Sequence, residues 1–245
     1  MAFLFWGATA AQAQWTLEFR KVTAALPGGA EFIEREAKLG DDTVRVQGVF
    51  FSAKQGRFTV VDNAASIPLS EAAKSAGALA GANGAFFKAD WTPVGLEIAG
   101  GRKVHGFERA KILSGIFVVT DGAPRIVRSE RYTASSKDTD ALQCGPFLVE
   151  HGAIIPGLNA TRRARRTVVA TDGRGRWALL TISPLTLADA GALLASRTVF
   201  PDFEIATALN LDGGPSTGIW VAAGPRPFYA PERGTVRNFL MILPR

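Results

Sequence analysis

The apolar residues of this chain come in short runs, and almost every run stops at a glycine-bearing turn. Of its 245 residues 26 are glycine, and the intervening runs are rich in Val, Ile, Phe and Thr, which suit a pleated surface better than a helix. Such runs pair locally. "GIFVVTDGAPRIVRSE" turns at Asp121-Gly122, "FLVEHGAII" at His151-Gly152, and "TVVATDGRGRWALLTIS" at Asp172–Gly175, each an antiparallel hairpin pattern. Upstream, "WTLEFRKV" alternates as a strand does, and "TVRVQGVFFS" and "RFTVVD" flank a turn at Lys54–Gly56. "ALAGANGAFF" is extended, and further strands fall near Ile205–Leu211, Gly218–Ala222 and Asn238–Leu243.

Helices are few. Leu69–Gly77 reads as a short one capped by Ser70 and closed by Gly77. Thr186 caps a second, "LADAGALLASR", with Leu187, Ala190, Leu193 and Leu194 on one face. No internal repeat, low-complexity stretch or linker divides the chain. The expectation is a single α+β domain over residues 14–245, mostly antiparallel hairpins with two or three helices.

Composition narrows the function classes. Apolar residues make up 47% and charged residues 20%, a globular balance on a chain long enough to bury a core. The net charge of +6 comes with arginines clustered at Arg162–Arg166 ("RRARR") and between Arg125 and Arg131. There is no Lys-rich tail, helix-turn-helix pattern, zinc spacing or RNP-type aromatic motif, so no nucleic-acid partner is expected and an anionic small substrate is. The single cysteine, Cys144, excludes an internal disulfide and a multi-cysteine zinc site. No base accompanies it in sequence, and it reads as a small packing residue. No Asp/His grouping suggests a metal, and no cofactor is expected.

The first residues, "MAFLFWGATAAQAQW", place an apolar core before Ala11-Gln12-Ala13, an A-x-A cleavage pattern. Residues 1–13 are expected to be a signal peptide and the protein exported, to the periplasm; a buried first strand is the other reading. No other stretch approaches the length of a membrane span, so no stable membrane insertion is expected.

Four constellations carry possible chemistry. In "LNLDGGPST", Asp212 ends an apolar strand, with Asn210 before it. Gly213 and Gly214 follow, whose N–H groups can approach a ligand closely, and then the hydroxyls of Ser216 and Thr217. "GANGAFF" holds Asn83-Gly84 between apolar residues; it is either a turn or a partly buried polar site. "LQCGPFLVEHG" places Gln143 and Gly145 at the interruption of another run. In "RRARRTVVATDG", Arg166 stands directly before the strand and is the arginine best placed to point inward, where its planar fork suits a phosphate.

Taken in order, "NGAFF", "GL" at Gly95-Leu96, "QCGPFLVEHG", "RRTVVATDGRGRWALLTIS", "LADAGALL", "ALNLDGGPST" and "RNFLMIL" resemble the phosphodiester glycosidase domain family, of the uncovering-enzyme type. The resemblance runs from about Asn83 to the C-terminus and rests on the order of the motifs more than on any one of them. The family usually has a third glycine where this chain has Pro215, a second serine where it has Thr217, and a small residue such as Ser or Gly at Cys144. Proline removes one backbone donor from the loop.

The resemblance implies hydrolysis of a sugar-1-phosphodiester, releasing the sugar and leaving a phosphomonoester. Under that implication Asp212 and Arg166 are the catalytic pair. Asn83, Gly84, Gln143, Gly145, Asn210, Gly213, Gly214, Ser216 and Thr217 bind substrate, a glycan or glycosyl phosphate. A glycosidase ordinarily needs a second carboxylate, for which Glu97, Asp172 and Glu204 all remain open. A phosphate leaving group is weakly basic, so arginine can replace a strong proton donor. A non-catalytic envelope module that binds anionic polysaccharide in the same pocket is the alternative.

Cleavage at the A-x-A pattern leaves Gln14 as the first residue of the mature protein. N-terminal sequencing of periplasmic material checks this, and an intact Met1 on cytoplasmic protein would rule out export.

Overall fold

A computed structural model describes residues 14–245. The expected signal peptide, residues 1–13, lies outside them. Three antiparallel sheets make up most of the fold. The largest is eight-stranded and runs, edge to edge, through β1 (Thr16–Leu26), β2 (Ala30–Leu39), β3 (Asp42–Ser52), β14 (Arg176–Leu185), β13 (Ala164–Thr171), β15 (Thr207–Asn210), β11 (Phe147–Glu150) and β12 (Ala153–Ile154). A second sheet orders β7 (Arg102–His105), β6 (Glu97–Ala99), β10 (Asp138–Cys144), β8 (Gly115–Thr120) and β9 (Ala123–Arg128). The third orders β17 (Phe228–Ala230), β16 (Ile219–Val221), β5 (Ala80–Asn83), β18 (Asn238–Pro244) and β4 (Gly56–Asp62). Two α-helices, α1 (Leu69–Ser75) and α2 (Leu187–Ala195), pack on the outside.

The period of two explains the layering. Successive side chains on a strand point to opposite faces, and here both faces are buried. On β14, Trp177 and Leu179 enter a central core, while Ala178, Leu180 and Ile182 enter a second one beneath α2. On β18, Leu240 and Ile242 join the central core, and Phe239 and Met241 pack under α1 with Trp220. On β8, Phe117 and Val119 face the central core, and Ile116 and Val118 an outer cluster with Leu96 and Ala141. The two smaller sheets thus close over one face of the large sheet and α2 covers the other.

The predicted hairpins form as read. Asp121-Gly122 and His151-Gly152 both take positive φ, the pairing that two-residue hairpin turns need. Thr186 caps α2 by accepting from the Asp189 N–H at 3.1 Å. Ser70 does not cap α1. The N-cap is Pro68, which offers no side chain, and the first helical N–H, that of Leu69, is taken by the Glu232 carboxylate at 2.8 Å. Strand β2 escaped the sequence reading because charge interrupts its inward positions. Arg35, 1% exposed, sits between Ile33 and Ala37 on the α2 face, where Asp202 pairs with it and Phe50 and Phe200 lie against its guanidinium.

Cys144 is fully buried in the central core, and burial pushes its thiol well above the usual range. The native protein should therefore be inert to a water-soluble thiol reagent such as Ellman's and react with one equivalent only on unfolding. Rapid labelling of the folded protein would place the thiol elsewhere.

Candidate active site

Strand β15 is central in the large sheet, between β13 and β11, and it delivers Asp212 two residues past its end. Three contacts fix the backbone there. The Leu211 N–H donates to Thr167 O at 2.8 Å, the Asp212 N–H to Gly84 O at 3.0 Å, and Asn83 Nδ2 to Asp212 O at 2.8 Å. The chain then turns sharply. A Cβ on Gly213 would stand 2.7 Å from Arg165 O, closer than side chains come, and Gly214 takes φ +63° to open the short 3-10 turn Gly214–Ser216. The chain folds back on the acid, so that the Gly213 N–H donates to Asp212 Oδ1 at 2.8 Å and the Ser216 hydroxyl comes near enough to the same carboxylate to favour its charged form. Burial raises the Asp212 pKa above the ordinary carboxylate value, and these two donors pull against the rise.

Asp212 faces a cavity of about 280 Å³ that Arg166, Arg162, Asn210, Gly145, Gly213 and Gly214 also line, with Phe86, Ile112 and Leu187 as apolar walls. Arg166 is 8% exposed. Its Nε donates to Leu185 O at 3.0 Å and its Nη2 to Arg162 O at 2.7 Å, and among the described residues no carboxylate pairs with it. The other buried arginines differ: Arg35 is paired with Asp202 and Arg237 with Asp62. An uncompensated buried cation is costly, and it borders a cavity that also holds a carboxylate. Such an arrangement is chemically suited to a ligand that carries a negative group beside a centre that develops positive character.

The family model for phosphodiester glycosidases matches residues 76–243. The chain belongs to the phosphodiester glycosidase family. The fold agrees with solved structures at low identity. The zebrafish N-acetylglucosamine-1-phosphodiester alpha-N-acetylglucosaminidase catalytic domain, auto-inhibited by its pro-peptide, aligns with a TM-score of 0.62 at 13% identity, over 97% of this chain and 85% of that one. A hypothetical protein from Synechocystis aligns with a TM-score of 0.59 at 15% identity, over 88% of this chain, which spans only 62% of that protein's length. No curated protein matches the chain.

Against this family background, the residues expected at the site separate into two groups. Asp212, Arg166, Gly145, Asn210, Gly213 and Gly214 come together on the cavity. Asn210 Nδ2 donates to Gly145 O and Leu211 O, leaving Oδ1 buried with no partner. Asn83, Gly84, Gln143, Ser216 and Thr217 stand outside the lining. Asn83 is 1% exposed, and besides Asp212 O it binds the Thr167 hydroxyl at 2.6 Å and the Gly218 N–H at 3.2 Å. Gln143 is fully buried; it ties down the 106–114 loop through the Glu108 N–H and carbonyl, and its Oε1 also accepts from the Leu96 N–H just before β6. Ser216 holds the acid, and Thr217 faces a different cleft. Pro215, one of the departures from the family pattern, also lies outside the lining.

Sequence reasoning passed over Arg162. The Asn159 side-chain carbonyl accepts from the Thr161 and Arg162 N–H groups at 3.2 and 2.8 Å, and this turn sets Arg162 at the cavity mouth. The Asn-x-Thr preceding the arginines was the available signal.

None of the three second-acid candidates lines the cavity. Asp172 caps the turn at the far end of β13, roughly 20 Å along the strand from Arg166, where it accepts from the Arg174 and Arg176 N–H groups. Glu204 pairs with Arg197 at the surface. Glu97 is 1% exposed and lies behind the site, its Oε2 accepting from Asn238 Nδ2 at 2.6 Å and its Oε1 unpartnered. Burial pushes its pKa to about 7, with the Asn238 hydrogen bond and the Arg102 charge opposing.

This shift has a stability consequence. The native state keeps the Glu97 proton up to about pH 7, while an unperturbed side chain releases it near 4.5. The stability this proton contributes is full below the unfolded value and is lost as pH rises through the folded one. Glu97→Gln keeps the shape without the titration. Relative to wild type it should gain up to about 3 kcal/mol on going from acid to about pH 8. Thermal or urea unfolding over a pH series measures it, and a pH-independent difference would mean that Glu97 titrates normally.

Proposed function

We propose that this chain hydrolyses the C1–O bond of a sugar-1-phosphodiester in a glycan or glycoconjugate. The observation that carries the reading is the unpaired, buried Arg166 guanidinium sharing one cavity with the buried Asp212 carboxylate, in a chain of the phosphodiester glycosidase family. The phosphodiester anion lies against Arg166, with Arg162 at the mouth. As the C1–O bond breaks, its electron pair goes to the phosphate oxygen, and the guanidinium stabilises the charge that arrives there. Asp212, ionised, stabilises the positive character at C1, and water supplies the hydroxyl to C1 and the proton to the departing phosphomonoester. The lone carboxylate among the cavity's lining residues suits this division of labour, because a phosphate needs little proton donation to leave. The apolar segment ending at Ala11-Gln12-Ala13 supports an exported, periplasmic place of action.

Hydrolysis in ¹⁸O-labelled water, read by mass spectrometry over a panel of sugar-1-phosphodiesters, tests the bond cut. Label in the sugar is expected, and label in the phosphate would mean P–O cleavage instead. Saturable binding with no product from any substrate would identify a binding module.

Two variants test the roles. Arg166→Lys and Asp212→Asn should each lower kcat on a phosphodiester by about 10²-fold or more. On an activated aryl glycoside of the same sugar, Asp212→Asn should lose as much, whereas Arg166→Lys should lose far less. Equal losses for Arg166→Lys on the two substrates would take this arginine off the phosphate. Because burial raises the Asp212 pKa, the acid limb of the rate profile should lie at higher pH than an exposed aspartate would set.

A further inference from the structure

On the face of the large sheet that meets the central core, residue type changes part-way along three neighbouring strands. The inward positions of β3 run Phe51 and Val49, then Gln47, Arg45 and Thr43. Those of β14 run Trp177 and Leu179, then Thr181 and Ser183, and those of β2 run Phe32, then Glu34 and Glu36. Residues two apart share a face, so this face is apolar at one end and polar at the other. The third sheet covers the apolar end and reaches the boundary with Ile219 and Ala230, which pair across β16 and β17. Beyond them lies a cleft of about 360 Å³, larger than the Asp212 cavity.

Two residues on its wall point to a ligand. Thr217 is 2% exposed and its hydroxyl has no partner. Arg165, on the opposite face of β13 from Arg166, donates to the carbonyls of Gly214, Pro215 and Pro231 and to no carboxylate among the described residues. The cleft is lined by Arg165, by Arg45 and Glu36, which pair with each other at 3.7 Å near the surface, and by the hydroxyl-bearing Thr43, Thr181 and Ser183, with Pro184 and Ala230 as apolar patches. A bare phosphate asks for donors alone and would have to compete with Glu36 for Arg45. A sugar ring offers hydroxyls that each donate and accept, around C–H faces that pack on aliphatic side chains.

We propose that this cleft is a second carbohydrate-binding site, for a short uncharged saccharide, distinct from the Asp212 cavity. Gly214 connects the two, since it lines the Asp212 cavity while its carbonyl accepts from Arg165 Nε at 3.2 Å. A saccharide held by Arg165 therefore bears on the turn that carries the acid. Only the choice of a glycan as probe draws on the proposed function; binding here needs no turnover.

The test is amide NMR of ¹⁵N-labelled protein titrated with maltose, cellobiose and N,N′-diacetylchitobiose, each to about 50 mM so that millimolar affinities register. At least one should shift the backbone amides of Thr43, Gln47 and Thr217 saturably, and inorganic phosphate should not. Thr217→Val keeps the shape and removes the hydroxyl, and Arg45→Ala removes an exposed guanidinium whose ion pair, at 3.7 Å, is to the surface residue Glu36; each should weaken binding by about tenfold or more. No saturable shift at these amides from any of the three sugars overturns the proposal, as does affinity that both variants leave unchanged. Binding without hydrolysis would count against the catalytic reading alone, and hydrolysis without binding in the cleft against this one alone.

Discussion

The side chain of Asn83 is the junction on which the site depends. It ends β5 in the third sheet, accepts a hydrogen bond from Thr167 of β13 in the large sheet, and reaches both ends of the Asp212 loop through Asp212 O and the Gly218 N–H. The Thr167 hydroxyl and the Gly218 N–H are buried, and a buried polar group left without a partner costs roughly 1–3 kcal/mol. One amide thus fixes the separation of two sheets and the course of the loop between them. The neighbouring Gly84 adds its carbonyl to Asp212 N, and Asn238, bonded to Glu97, holds the Ala85 N–H at 2.7 Å. Behind the acid, then, lies a connected set of buried polar groups rather than an apolar wall, which gives the loop one conformation.

What the sequence made legible was local. The hairpins at Asp121-Gly122 and His151-Gly152 need only a turn dipeptide and two flanking runs, and the Thr186 cap needs only its neighbours. Asn83-Gly84 shows where this stops. Its dipeptide suits a turn as well as a buried connector, and only contacts with Thr167, Asp212 and Gly218, far along the chain, decide for the connector. Gln143 is similar: an amide beside Gly145 resembles a ligand-binding group, and its folding onto Glu108 has no sequence signature. Cores on both faces of β13 also remove the polar-apolar alternation that would have shown Arg165 and Arg166 pointing to opposite sides. Arg35 hid β2 because the acid that compensates it, Asp202, lies on a distant segment.

The layering also explains how one loop can serve two openings. A strand buried on both faces directs consecutive side chains to different compartments, and β13 begins with Ala164 and two arginines, Arg165 and Arg166. The turn Gly214–Ser216 packs across that end, with the Gly214 and Pro215 carbonyls on Arg165, and the Gly213 N–H just before it donates to the acid. Stiffness in the sheet therefore passes to the turn with no intervening flexible segment.

The unpaired guanidinium of Arg166 also bears on how firmly the molecule holds together in a given solution. On the proposed function, a small oxyanion held by Arg166 in the native state but not by the unfolded chain would add stability by mass action, about 2.7 kcal/mol when present at a hundred times its dissociation constant. The melting temperature would then be partly a property of the buffer: in phosphate or sulfate it would report the fold together with an occupant of the cavity, and in a buffer without oxyanions the fold alone.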